Sequence, residues 1–313
     1  MAVHPGFTLV WLFVLGTCIG SFLNVVIYRL PRKISLILPG SHCPNCKHAI
    51  RGFDNIPLLS WLWLGRKCRD CNAPISARYP LVELTVGLMF ALFAWVDWVQ
   101  PELAAIHHIR AEQKIGAEID DAEISVPHAE NIRIHLAYHL LLLCPLLAAV
   151  LIDFDDQKLP RQLITYPCGA GILLAMFWPD AFLQALVWPR LGGLDGNLNV
   201  LNSVLNSAAA VGMGIVGLGM AGVLRIGTQR MWGPLSPREL GLRNATLAMY
   251  AVGAFLGWIA VIVIGNLTML WALAGQNPAV QKTIGRVKPT AVVFVSALVW
   301  CALEGTLSRW FFG

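Results

Sequence analysis

Four cysteines and a cluster of three aspartates are the residues of this chain whose type and spacing could do chemistry. The cysteines stand as two pairs, Cys43-Pro-Asn-Cys46 and Cys68-Arg-Asp-Cys71, with twenty-one residues between them. Each C-x-x-C pair spans one edge of a tetrahedron, and the intervening loop brings the second pair round to complete a four-thiolate zinc site. Lys47, Arg51, Arg66, Lys67 and Arg69 surround the thiols, and nearby positive charge favours the thiolate form. Two disulfides and an iron–sulfur cluster are the competing readings; the spacing and a reducing compartment favour zinc. A closed shell of four sulfurs has no open position for water, so a structural staple is at least as good a reading as a catalytic metal. The aspartates, Asp153, Asp155 and Asp156, close an apolar run. Ionisable groups at a membrane boundary are costly and are functional candidates by default.

The elements that must position these residues are apolar. Hydrophobic residues make up 57% of the 313, charged residues 13%, and the mean hydropathy is +0.63. This is the composition of an all-α polytopic membrane protein, and it excludes a soluble domain with a large core. The net charge of +5 is gathered into a few segments between apolar runs, which speaks against a nucleic-acid surface. Cys18, Cys144, Cys168 and Cys301 fall inside apolar runs and read as packing residues.

The first run, Phe7–Tyr28, has no Lys or Arg before it and no small-residue cleavage pattern before Arg29. It reads as a retained span rather than a signal peptide. Gly16, Gly20 and Ser21 recur within it at helical spacing, which suits close helix packing. From Arg29 to Arg78 nine Lys/Arg stand against Asp54 and Asp70. The positive-inside rule therefore puts this loop in the cytoplasm and the N-terminus outside. The second span is Leu81–Val99, with Glu83 near its start. Asp97 to Arg133 holds eight acidic residues against three basic ones and reads as an external insertion, residues 97–135. Its His107, His108 and His128 are scattered and read as surface residues rather than a metal site.

Spans three and four, Leu136–Ile152 and Leu163–Trp178, flank the aspartate turn. A second external segment, Ala181–Asn206, precedes span five, Ser207–Ile226. The stretch Ala245–Ala274 is too long for one span. Because Lys282, Arg286 and Lys288 follow it and belong inside, a helical hairpin turning near Gly257–Trp258 is expected. Thr290–Glu304 is the last span. The count is eight with both termini outside; the alternative is seven, one of them long and tilted. The expected divisions are residues 7–96 with the zinc loop at about 30–79, the insertion, a core over 136–274, and 275–313.

Three stretches resemble one family, the bacterial type IV prepilin leader peptidases with N-methyltransferase activity. They are G-S-F-L-N-V-V-I-Y-R-L-P (Gly20–Pro31), C-R-D-C-N-A-P-I-S-A-R-Y-P-L-V-E-L (Cys68–Leu84) and L-I-D-F-D-D-Q-K-L-P (Leu151–Pro160). The resemblance implies eight spans, a cytoplasmic zinc loop and an intramembrane aspartic protease in the bacterial inner membrane. It implies cleavage of a short basic leader from pilin-like or pseudopilin precursors. In many members methylation of the new N-terminal amine from S-adenosylmethionine follows. Aspartic proteolysis needs two carboxylates that share one proton, one pulling a proton from water while the other polarises the scissile carbonyl. Asp153, seven residues before Pro160, takes the first position; Asp155 and Asp156 fit a solvated turn better. Pro160-Arg161 departs mildly from the Pro-Asp or Pro-Asn usual there.

The second position departs more. The family carries G-x-G-D-x-K-L eight residues ahead of G-A-x-L-G-W, which here is Gly253–Trp258. Counting back gives Ala245, and a register shifted by one gives Asn244. Neither can hold a carboxyl proton, and on the first register the lysine is replaced by Leu247. After Asp195, whose G-G-L-D imitates the motif on the outer side, the only acids are Glu239 and Glu304. Glu239 is then the candidate for a rewired pair. Four functions follow: a peptidase using Asp153 and Glu239, a protein keeping only methyl transfer, a silent paralogue that holds precursors or regulates a peptidase, and a non-enzymatic membrane protein with a zinc-ribbon docking loop. The partners expected are precursors and the lipid bilayer, with no nucleic acid.

Overall fold

A computed structural model describes residues 5–99, 129–177, 237–274 and 287–312, with Gly212, Ile215, Val216, Gly219 and Gly222 between. The regular elements among them are helical, and two isolated β-bridges are the only strand-like pairings. Among the described residues three helices are long and apolar enough to cross a membrane, Pro5–Arg29, Arg78–Asp97 and Leu136–Phe154. The chain divides into two compact units, residues 1–107 and 108–313.

In the first unit α1 (Pro5–Arg29) packs along α3 (Arg78–Ala94), which runs on into a π-helical turn, Trp95–Val99. Lipid tails are as apolar as leucine, so these two helices are held by close contact rather than by hydrophobic drive. Small residues make that contact possible. A Cβ on Gly16 would stand 2.8 Å from Phe90, one on Gly20 2.7 Å from the Cα of Glu83, and one on Gly87 2.7 Å from Thr17. The glycine spacing expected in the first span therefore serves this interface. The loop between the helices carries a 3₁₀ turn, Gly52–Asn55, and a short α2 (Leu59–Trp63).

The second unit consists, among the described residues, of α4 (Ala129–Phe154), α5 (Gln162–Phe177), α6 (Pro237–Ala274) and α7 (Pro289–Phe312). Three of them converge on Phe255 of α6. Tyr138 of α4 sets its ring 4.7 Å from the Phe255 ring and donates its hydroxyl to the Phe255 carbonyl at 3.0 Å. Gly171 of α5 leaves the space the ring fills, since a Cβ there would come within 2.7 Å of it.

Two expectations need correction. The hairpin near Gly257–Trp258 is not formed, because α6 runs unbroken for 38 residues. Beyond Pro237 this segment holds no proline, and a glycine inside a helix costs only about 1 kcal/mol against alanine, so nothing in it enforces a turn. At 1.5 Å per residue α6 is about 57 Å long, well beyond an apolar bilayer core of about 30 Å. Helix α4 also begins at Ala129, inside the stretch expected as insertion. Residues 100–128 of that insertion, with His107, His108 and His128, lie outside the described residues. So do Ala181–Asn206 with Asp195, most of span five, and Lys282 and Arg286.

Candidate active site and metal centre

The four cysteines meet in the first unit. Their Sγ atoms all lie within 4.8 Å of one another, and Cys43 Sγ stands 3.8 Å from Cys71 Sγ. Four sulfurs at about 2.3 Å from one tetrahedral ion would stand about 3.8 Å apart. The donor set thus fits a single metal.

The two knuckles are built alike, twenty-five positions apart. Lys47 N–H donates to Cys43 O and Cys43 N–H to His48 O; Asn72 N–H donates to Cys68 O and Cys68 N–H to Ala73 O. Ile50 closes on Ser41 as Ile75 closes on Arg66, and the bridges His42–Ala49 and Lys67–Pro74 correspond. The residue after each second cysteine is left-handed, Lys47 at φ 62° and Asn72 at φ 57°. That turn points backbone N–H groups at the sulfurs.

The electrostatics favour metal-ready thiolates in part. An amide hydrogen bond from Asn45 and a backbone one from Ala73 hold the Cys71 thiol down at about 6. Backbone hydrogen bonds from Cys46 and Asn45 lower Cys43 as well. His48 lends a backbone hydrogen bond to Cys46, yet burial and the neighbouring thiols outweigh it and push that thiol up to about 12. Four thiolates cannot crowd together without a cation between them, and a bound metal would supply it.

Polar contacts tie the loop to its helices. Arg29, buried at the end of α1, donates to Ser35 O and Gly40 O. Glu83 of α3 accepts from Leu58 N–H at 2.8 Å, just ahead of α2. Arg69 makes a two-pronged pair with Asp54 at 2.7 and 2.6 Å.

The aspartate site lies in the second unit, where α4 ends. Asp153 is 1% exposed, and both its oxygens are engaged from other helices. Oδ1 accepts from Asn244 Nδ2 of α6 at 2.8 Å, and Oδ2 accepts from Thr290 Oγ1 of α7 at 2.8 Å. The remaining atoms of the amide are also used. Asn244 Oδ1 accepts from Leu159 N–H at 3.0 Å, and Nδ2 donates to Gln157 O at 3.0 Å. These partners fix which way the amide faces, because flipping it would set two donors together and oxygen against oxygen. The turn after α4 makes the approach possible: Asp156 is left-handed at φ 53°, and Gln157 N–H closes back on Ile152 O. Gly241, one turn before Asn244, lies where a Cβ would reach 3.1 Å from Pro289 and 3.6 Å from Asp153 Oδ2.

Of the two registers considered, Asn244 and not Ala245 is the neighbour of Asp153. Ala245 is also buried, at 1% exposed, but it offers no polar group to Asp153. The lysine position of the motif then falls on Thr246, whose hydroxyl bonds Arg243 O, and Leu247 matches the motif's leucine. Asp155 and Asp156 do not join the pair; exposed Asp156 meets Lys288 Nζ at 2.6 Å. Glu239 lies in the first turn of α6, and its side chain is outside the described residues. Thr290 and Lys288 were missed in the sequence, where a polar residue at the head of the last apolar run was the only available sign.

A helical membrane protein with a four-cysteine loop and a buried carboxylate gripped from two neighbouring helices is the class these features define. The family description Bacterial Peptidase A24 N-terminal domain matches residues 14–96. A prepilin leader peptidase/N-methyltransferase of Aeromonas hydrophila is 31% identical over 337 residues, covering 97% of this chain and 93% of its own length. One of Myxococcus xanthus (strain DK1622) is 52% identical over 191 residues, 59% of this chain and 46% of that protein. One of Stutzerimonas stutzeri is 34% identical over 216 residues, 62% and 63% respectively. The chain thus belongs to the prepilin leader peptidase/N-methyltransferase family, although its match to the Myxococcus relative spans only about half of that protein. No solved structure matches it significantly.

Proposed function

We propose that this chain handles pilin-like precursors at the cytoplasmic face of the bacterial inner membrane, and that of the two activities in its relatives' names it keeps methyl transfer and has lost cleavage. The 2.8 Å bond from Asn244 Nδ2 to Asp153 Oδ1 carries this reading. Asn244 occupies the place of the second acid and imitates its protonated form: one oxygen that accepts, and one group that donates to Asp153. An amide can orient a carbonyl, but it cannot release a proton to a leaving amine. Asp153 is left as a base without its acid.

Zinc in the Cys43, Cys46, Cys68 and Cys71 site holds the cytoplasmic loop in shape, and S-adenosylmethionine is the methyl donor. The matched knuckles and the intact loop motifs support that half. For the topology, a count of eight spans requires Thr290 to be back at the Asp153 end, and their hydrogen bond supports it. The unbroken course of α6 weighs against the route by which the chain was expected to return.

Purified protein should be offered a leader-bearing precursor, a mature-length pilin with a free N-terminal amine, and methyl-labelled S-adenosylmethionine. The expected result is capture of the uncut precursor and label on the free amine. Robust cleavage by the wild-type chain overturns the reading, as does failure of both capture and methylation. Capture without label reduces it to a docking role.

A further inference from the structure

Beside Asn244 lies a second feature that shares only Asn244 with the Asp153 pair. A small cleft of about 40 Å³ is lined by Lys158, Leu159, Arg161, Arg243, Asn244 and Leu247. Three of its six lining residues are cations, and no acid lines it. Two aspartates of the preceding turn are engaged elsewhere: Asp156 is paired with Lys288, and Asp153 is held by Asn244 and Thr290. Among the described residues none of the three cations has an ion-pair partner. Three like charges around one cleft repel one another, and an anion between them removes that cost.

We infer that this cleft binds one phosphate group, held between Lys158, Arg161 and Arg243 at the mouth of the Asp153–Asn244 pair. The size suits an oxyanion: a water needs roughly 10–15 Å³ on this measure, so the cleft has room for a few waters or for one phosphate. Two arginines supply planar forks that match phosphate oxygens, and the lysine adds a point charge. The cleft also adjoins the start of α5, a 16-residue helix, whose positive N-terminal end favours an anion.

Two sources carry this chemistry, the headgroup of an anionic phospholipid and free inorganic phosphate. Placement favours the headgroup. The connector holding Lys158 and Arg161 lies between the apolar helices Leu136–Phe154 and Gln162–Leu174, at the level where a bilayer carries its phosphates. The side chain at 244 matters too. An aspartate there would set a carboxyl group in the cleft wall, whereas the amide leaves the three positive charges unopposed.

The test uses the full chain in uncharged detergent, titrated separately with dioctanoyl phosphatidylglycerol, dioctanoyl phosphatidylcholine, inorganic phosphate and a short Glu-containing peptide. Bound ligand is read by native mass spectrometry and calorimetry. Saturable binding of the glycerol lipid but not the choline lipid is expected. Arg161→Gln/Arg243→Gln should weaken it by roughly 30-fold, at about fivefold per charge. Arg161→Lys/Arg243→Lys should keep most of it, and Lys33→Gln, an exposed cation in the other unit, should change nothing. Inorganic phosphate binding with the same dependence on Arg161 and Arg243, without a preference for the glycerol lipid, supports the site and assigns it to the free ion. Binding that ignores the double variant overturns the inference, as does no binding of either phosphate source. Tighter binding of the peptide than of both would reassign the cleft to a peptide carboxylate and equally overturn it. Both arginines are exposed, so the variants should fold, and an unchanged melting temperature checks that they do.

Discussion

Asn244→Asp should restore peptide cleavage, and the structure sets the size of the effect. The substitution exchanges one NH₂ for an oxygen. The bond from Leu159 N–H to Oδ1 survives, since an aspartate oxygen accepts it equally well. At 2.8 Å from Asp153 Oδ1, two ionised carboxylates would repel by about 6 kcal/mol even at an effective dielectric near 20. The pair must therefore keep one proton between them, which is the state the mechanism needs. That proton can serve only one acceptor, so Gln157 O loses its donor at a cost of about 1 kcal/mol, the low end for a part-buried group. General acid–base groups contribute about 10²–10⁴-fold, and cleavage of a leader-bearing precursor should rise by at least the lower figure. Gel or mass-spectrometric detection of the released leader reads this directly. The double variant Asn244→Asp/Asp153→Asn should be silent, as should Ala245→Asp, which places a carboxylate at a buried position one residue away from the neighbour of Asp153. The reasoning fails if Asn244→Asp is folded and inert while Ala245→Asp cleaves, or if the wild type cleaves and Asp153→Asn does not stop it. Wild-type cleavage abolished by Glu239→Gln would instead establish the rewired pair.

Purified protein should carry one equivalent of zinc, and Cys46→Ser should bring it below half an equivalent in elemental analysis; a metal content unmoved by that change would refute the site. Gly20→Val drives a side chain into the backbone at Glu83 and should destabilise the α1–α3 pair by about 1–3 kcal/mol, whereas Gly52→Ala, with nothing within 4 Å, should be close to neutral in thermal unfolding. The hydrogen bond from Arg69, aided by its charge, holds Asp54 below the ordinary carboxylate value. Its stabilising effect is therefore complete above the unfolded value of about 3.9 and is lost as pH falls through the lower folded value. Hydrogen exchange at residues 52–55 should quicken over that acid range, and Arg69→Gln should remove the dependence.

What could be read from the sequence was what local spacing encodes. Two C-x-x-C pairs announce a tetrahedron without reference to the rest of the chain, and Gly16 and Gly20 announce a close helix contact four residues at a time. Asp153 stood out because a carboxylate at the edge of an apolar run has few structural uses. Its partners were harder to see. Thr290 lies 137 residues away and Asn244 ninety-one, and helix periodicity does not say which of two adjacent residues, Asn244 or Ala245, faces another helix. The course of α6 is illegible for a different reason: the loop charges call for a turn where the backbone offers no breaker. Lys288, counted only as a loop charge, turns out to hold Asp156.

Between Leu30 and Pro80 one residue alone is buried, and it is Cys43. A domain of this length ordinarily folds around leucines and valines; this loop has a cluster of sulfurs where its core should be. With a metal bound there, as proposed, its folding free energy would largely be the binding free energy of that ion, which for comparable four-ligand sites is on the order of 10–16 kcal/mol at neutral pH. The neighbouring helices draw on something else, since α1 and α3 are locked by backbone contact that no chelator reaches. Stripping the metal should accordingly melt about fifty residues at once and leave their anchors in place. Metal supply could in this way decide how much of the chain is folded without deciding whether it stays in the membrane.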